Sequence, residues 1–369
     1  MKYLLITAII TSQTFIYGAD LSTKALLGEA FFNDTSFSQN RTMSCATCHN
    51  PQQAFIDTRV NHLASAVSIG DDGTSIGDRN SPSIGYASFT PTFSQDGRIR
   101  GGLFFDGRAT DLTEQAKGPF LNPIEMNMPS EASVIARLQE NQEYITAMQS
   151  FYGANIFNNT SNAYTALADA IATFERTSIF APFDSDRDTN TLSASALRGK
   201  TLFRANNCVR CHDDRGSALF TDFTYSNLGI PINTAVRALN NHATDLGLSE
   251  NPAINNRREE GNFKVPTLRN IAVTAPYMHN GVFATLKAVV HFYNTRDSGG
   301  INPETGQAWR SPEVARGLER NDIGNLGLTD REENDIVAFL ESLTDAQYKS
   351  SSVDKKTVGA LIGVYSILL

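Results

Sequence analysis

The sequence predicts a mainly α-helical protein built from two similar units joined by long irregular loops. Two observations carry this expectation. Few segments alternate apolar and polar residues with the two-residue period of a half-buried strand. And one pattern occurs twice: Ala25-Leu26-Leu27-Gly28-Glu29-Ala30-Phe31-Phe32 and Ala196-Leu197-Arg198-Gly199-Lys200-Thr201-Leu202-Phe203 both read Ala-Leu-x-Gly-x-x-x-Phe. Each copy is followed by Cys-x-x-Cys-His, at residues 45–49 and again 163 residues later at 208–212. Duplication of a helical unit accounts for the repeat. At 369 residues, 41% of them hydrophobic, the chain has the length and composition for two cores.

Taken in order, residues 1–19 read as an export signal. Lys2 supplies a short positive start, Leu4 to Ile10 with Phe15-Ile16 an apolar stretch, and Gly18-Ala19 small residues for cleavage. Leu21 to Phe32 reads as a helix capped by Ser22. Residues 50–102 are rich in Gly, Ser, Asp and Asn and read as loop. Helices are expected from Asp111 to Lys117, over Ser130 to Ser150 and from Ala163 to Phe174. Asp184 to Ser193 is a polar linker, which divides the chain into units of residues 20–185 and 186–345. Residues 214–262 are again loop-like, followed by helices from Leu286 to Tyr293 and from Asp330 to Leu343, the last capped near Thr329. The tail, residues 346–369, is apolar from Val358 onward but shorter than the roughly 18 residues a membrane span needs.

Cys-x-x-Cys-His is the pattern that carries a covalently attached haem c. The thiols bond two edges of one porphyrin, while the adjacent His reaches beneath its centre to ligate the iron. Cys45, Cys48 and His49 form one such site and Cys208, Cys211 and His212 the other. Together they use all four cysteines, leaving none for a disulfide or a zinc site. A redox dithiol would not require a His after both pairs. Haem attachment outside the cytoplasmic membrane agrees with export, so the periplasm or cell surface is the expected location. The formal net charge of −8, to which haem propionates add, argues against a nucleic-acid partner.

With both motifs in place, the chain resembles the bacterial di-haem cytochrome c peroxidase and MauG family from about residue 22 to 345. The resemblance rests on the two haem motifs, Phe105-Asp106-Gly107-Arg108-Ala109, Glu114-Gln115-Ala116, Glu125-Met126, Pro266-Thr267-Leu268-Arg269-Asn270, and Pro276-Tyr277 with His279. It implies two cytochrome c-like domains, the N-terminal haem peroxidatic and the C-terminal haem passing electrons to it. A calcium ion between them is implied too, with Asn80 as a side-chain ligand and Thr274 and Pro276 as carbonyl donors.

The resemblance also assigns individual roles. Glu125 matches the distal catalytic carboxylate that moves a proton during O–O cleavage. Gln115 matches a second distal-pocket position. Reductively activated relatives carry a capping His where this chain has Asp78, after Ser75-Ile76-Gly77. His62 falls elsewhere in that loop, so an open, five-coordinate first iron is expected, with His62 on the surface. The distal ligand of the second iron falls on Tyr293, as in MauG-type proteins, where peroxidases carry Met; Met278 is the rival. Phe105 stands where studied members place a Trp between the haems, and the chain's single Trp, Trp309, lies far along the sequence.

The expected activity is reduction of hydrogen peroxide, with electrons from a small cytochrome or cupredoxin. The alternative within the family is oxidation of a side chain, such as Trp, of a partner protein. An electron-transfer or peroxide-sensing cytochrome without turnover is the alternative of another class. Relatives often dimerise, so a homodimer is among the expected states.

Overall fold

The computed structural model describes residues 21–349 except 62, 64, 216–218 and 241–243. The export segment, His62 and the apolar tail beyond residue 349 lie outside the described residues. The fold is mainly α, as expected. The helices are α1 (Lys24–Asn33), α2 (Cys45–Cys48), α3 (Leu112–Leu121), α4 (Glu131–Leu138), α5 (Gln142–Tyr152), α6 (Thr160–Glu175), α7 (Ala194–Ala205), α8 (Thr234–Asn240), α9 (Leu286–Thr295) and α10 (Asp330–Glu341). One antiparallel pair, β1 (Tyr225–Ser226) with β2 (Phe263–Lys264), is the sheet of the described residues.

Helix ends follow local chemistry and depart from the sequence expectation, most clearly in three places. Thr23, not Ser22, caps α1, because its hydroxyl reaches the Leu26 amide at 3.1 Å. The helical region 130–150 is two helices, since Asn141 accepts from the Glu143 and Tyr144 amides and starts α5 afresh. And α3 runs past Lys117 to Leu121 despite Pro119, with Phe120 buried in the core. At α10 the expected Thr329 cap is present, completed as a capping box by Glu332. Helix α8 interrupts residues 214–262, which the sequence predicts as loop.

The twofold pattern has a packing cause. In the first half α1 crosses α6 so closely that a Cβ on Gly28 would collide with the Ala170 carbonyl oxygen and lie 3.0 Å from Phe174 Cβ. In the second half α7 crosses α10 the same way: a Cβ on Gly199 would collide with the Asp335 carbonyl oxygen and lie 2.9 Å from Phe339 Cβ. The Phe four residues after each glycine then meets the facing helix. Phe32 packs edge-on against Phe174 and Phe203 against Phe339, both with ring centroids 5.4 Å apart. A third ring completes each group, Phe180 in the first and Phe220 in the second. Such aromatic pairs contribute about 0.5–1.5 kcal/mol each beyond burial. One apolar core gathers around the first trio, from Leu27 to Phe180, and another around the second, from Phe203 to Leu343.

Loops from the two halves are locked together by buried charge. Arg79 donates to Asp245 through Nε and Nη2 at 2.8 and 2.7 Å and to Asp106 at 2.6 Å. Asp245 and Asp106 are buried, so this geometry offsets a large desolvation cost. Within the second unit, Arg269 holds Asp188 at 2.5 and 2.9 Å, which pins the segment read as a linker. Its guanidinium also lies over the rings of Tyr86, Phe183 and Phe220. Gly107, in the Phe-Asp-Gly-Arg motif, has φ +69° and meets the Tyr225 hydroxyl where a side chain would be.

Gly28→Ala and Gly199→Ala are each expected to destabilise the protein by about 1–3 kcal/mol or more, because backbone must move to admit the methyl group. Thermal unfolding followed by circular dichroism measures this. Midpoints equal to the parent's would show that the helix pairs do not depend on the close approach.

Candidate haem sites

Each Cys-x-x-Cys-His begins in a short helical turn that follows one of the paired helices. Ser44 starts α2, its amide donating to Thr47 Oγ1 at 2.9 Å. Cys208 opens a 3-10 turn of residues 208–210. In both sites the backbone sets the imidazole in the same way. His49 Nδ1 lies 3.1 Å from the Phe55 carbonyl oxygen, and His212 Nδ1 lies 2.9 Å from that of Phe220. A carbonyl only accepts, so Nδ1 carries the proton and donates, leaving Nε2 with a free lone pair for a metal. Phe55 is itself fixed by stacking on Phe180 at 4.2 Å, and Phe220 by the second trio.

Each motif walls a large, mostly apolar cavity. The first, about 460 Å³, is bounded by Cys45, Cys48 and His49 and also by Gln115, Phe105 and Glu125. The second, about 270 Å³, is bounded by Cys208, Cys211 and His212 together with Tyr293 and Met278. Apolar walls, paired thiols and an imidazole with its outer nitrogen oriented are the features a haem c requires, so the residues present fit that group at both sites. The structure thus brings the residues expected at each site to one cavity. The two cavities share a partition in which Phe105 faces both, with Pro82, Ser83 and the segment 264–267. The Lys264 amide donates to the Phe105 carbonyl at 2.9 Å, which holds the partition together.

Within the first cavity Glu125 has one oxygen occupied: Oε1 accepts from the Asn122 side-chain amide at 2.7 Å. Burial raises the affinity of this carboxyl for a proton, opposed by the Asn122 bond and Arg108 and reinforced by Asp78. Asp78 lines the same cavity and accepts from Asn240 at 3.1 Å. In the second cavity Tyr293 lies on the inner face of α9 with Leu286, Val289 and Val290. Most buried tyrosine hydroxyls here are engaged, as Tyr86 is with Asp345 and Tyr225 with the Gly101 carbonyl. Met278 sits in a turn with φ +74°. Trp309 packs away from both cavities, against Phe283 and Phe292, its indole donating to Thr295 at 3.0 Å.

Asn80, Thr274 and Pro276 also converge. They line a small cavity of about 10 Å³ with Asp57 and Ser65, where the first-half loop meets the second half. Sequence reasoning missed three groups at these sites. Arg79 and Lys264 border the first cavity, and Glu175, at the end of α6, is buried with its Oε2 unpaired. A glutamate on the buried face of α6 was the available signal for the last of these.

Comparison with known proteins agrees with this geometry. The profile described as di-haem cytochrome c peroxidase matches residues 22–191. The methylamine utilization protein MauG of Paracoccus denitrificans is 44% identical over 345 residues, covering 88% of this chain and 89% of that protein. Cytochrome c peroxidase Ccp of Escherichia coli is 32% identical over 329 residues, covering 87% of this chain and 58% of that protein. The crystal structure of the diheme peroxidase BthA from Burkholderia thailandensis superposes with a TM-score of 0.76 at 31% identity, covering 88% of this chain and 86% of that one. Two cavities of one design, each walled by a haem motif, are what these relatives lead one to find, and the chain belongs to the di-haem cytochrome c peroxidase and MauG family of oxidoreductases.

Proposed function

We propose that the protein reduces hydrogen peroxide at the first site, in the unit of residues 20–185, with electrons relayed through the second, in the unit of residues 186–345. The observation that carries this reading is Glu125, a carboxyl lining the same cavity as His49, with one oxygen held by Asn122. Cys45 and Cys48 would hold one haem and Cys208 and Cys211 another, which would supply peroxide binding and electron transfer.

Two electrons and two protons convert one hydrogen peroxide into two waters. Glu125 Oε2 takes the proton from the near oxygen and delivers it to the far oxygen, which leaves as water. A carboxyl whose proton affinity is raised by burial suits both halves of that transfer. Gln115 supplies amide N–H groups on the same wall. Phe105 and the 264–267 segment stand between the two cavities, where electrons would cross. The donor is a small cytochrome or a cupredoxin in the periplasm or at the cell surface.

Glu125→Gln should slow peroxide consumption by about 10²–10⁴-fold while haem content stays at the parent's level. Steady-state turnover with a reduced cytochrome measures this, and an unchanged rate removes Glu125 from proton transfer.

Tyr293 would ligate the second site's iron in this reading, supported by its place on the face of α9 that lines the cavity. Tyr293→Phe is therefore expected to abolish the low-spin spectrum of one haem, and Met278→Leu to leave it intact. The reverse result would make Met278 the ligand.

The same tyrosine, with 44% identity to Paracoccus MauG, favours a second reading: oxidation of a side chain such as Trp in a partner protein.

The oxygen atoms of Asn80, Thr274 and Pro276 suit a calcium ion in the small cavity between the halves. Chelation should shift the spectra of the haem sites, and calcium should restore them where magnesium does not. Unaltered spectra in protein shown by elemental analysis to be free of calcium would exclude it.

A further inference from the structure

The two halves can be compared position by position, because both are built on the same helix crossing. Gly28 meets Ala170 and Phe174; Gly199 meets Asp335 and Phe339. Ile171 therefore corresponds to Ile336, and Glu175 to Leu340. Each pair lines its own cavity: Ile171 and Glu175 the first, Ile336 and Leu340 the second. All four are buried, Glu175 at 4% and Leu340 at 6% exposure. The fold accepts leucine at this place in the second site, and the first site carries a carboxyl there instead.

That carboxyl is costly. Its Oε2 is buried without a hydrogen-bond partner, and an uncompensated buried acid destabilises a fold. Cys45 faces it from α2, and that thiol is consumed on haem attachment. Arg176, next in the chain, is its charged neighbour. The charges of the surrounding helices are engaged elsewhere: Lys24 with Asp169, Lys117 with Glu114, Arg137 with the Gln39 carbonyl, and Glu131 against Tyr164. Glu29 and Glu143 are exposed. Asp78, Arg79, Asp106, Arg108, Glu125, Glu250 and Lys264 complete the charged groups of the cavity wall.

We infer that Glu175 is a proton-coupling residue of the first haem site, binding one proton when the iron there gains an electron and releasing it when that electron leaves. The inference rests on the haem reading of that cavity. The electron comes from a reduced one-electron donor and the proton from solvent, so the buried site keeps its net charge through each step. Burial pushes the Glu175 carboxyl up to about 8, moderated by Arg176, which places the exchange near the pH of ordinary solution. The sign follows from Coulomb's law. A carboxylate stabilises the more positive, oxidised site, so the first haem is harder to reduce above that pH and easier below it.

Redox titration of the two-haem protein, electrode-poised and followed optically on either side of pH about 8, tests this. The first haem's reduction equilibrium should shift by up to tenfold per pH unit, about 59 mV for one electron. In Glu175→Gln that pH dependence should vanish and the potential stay at its low-pH value. Glu175→Leu, which copies the second site, should behave the same way. The redox-difference infrared spectrum should lose a protonated-carboxyl C=O band in both variants. Lys264, which burial pushes down to about 8 on the same wall, is the rival titrating group. If the pH dependence survives in Glu175→Gln but disappears in Lys264→Met, the inference is overturned. Protein that attaches only one haem, with none at Cys45 and Cys48, would instead overturn the haem reading of the cavity.

Discussion

The close crossing of two helix pairs is the constraint on which the rest of the molecule depends. Gly28 and Gly199 allow α1 to press on α6 and α7 on α10 at backbone distance. That approach brings Phe32 against Phe174 and Phe203 against Phe339 and seats the third ring of each trio. The rings in turn fix the loop carbonyls of Phe55 and Phe220 that orient the two histidines. A single missing methyl group is thus connected, through packing, to the direction of a metal-binding lone pair. Protein interiors transmit such shifts because they are packed like crystals and have little free volume to absorb them.

Buried charge joins the halves beside small apolar clusters such as that of Leu63, Val67 and Ile76 with Val236. Arg79 reaches across 166 residues to the buried Asp245 of the other half, and Arg269 across 81 residues to the half-buried Asp188 within the second unit. Buried pairs of this kind add little net stability, but removing one partner strands the other charge. They therefore specify one arrangement of the loops more than they strengthen it. The consequence is a thin partition carrying Phe105, with a cavity on either side.

The two sites share a frame and differ in what hangs on it. The first has Glu125, Gln115 and Glu175 on its wall; the second has Tyr293, Met278 and Leu340. A carboxyl at residue 125, an amide at 115 and a carboxyl at 175 mark the first cavity, and a phenol, a thioether and a leucine stand in the second. This asymmetry suits a division between chemistry on a small oxidant and relay of electrons.

By itself the sequence determined whatever depends on neighbours along the chain. The haem motifs are local because two thiols and an imidazole must meet one porphyrin, so Cys45 to His49 and Cys208 to His212 were legible at once. The Gly-x-x-x-Phe repeat was legible too, since one face of a helix recurs every three to four residues. Likeness to a family identified Gln115, Glu125 and Tyr293, and the fold brings each to the cavity of the corresponding motif. What remained hidden required pairing of distant segments. The exception is local: Asn141 restarts a helix through its own bonds to the Glu143 and Tyr144 amides, which periodicity does not reveal. Arg79 meeting Asp245, Lys264 reaching the partition and Glu175 standing where its counterpart is leucine were decided by the tertiary fold alone. A charged residue reads as solvated until the fold shows what surrounds it, because the cost of burying a charge is set by neighbours far away in the chain.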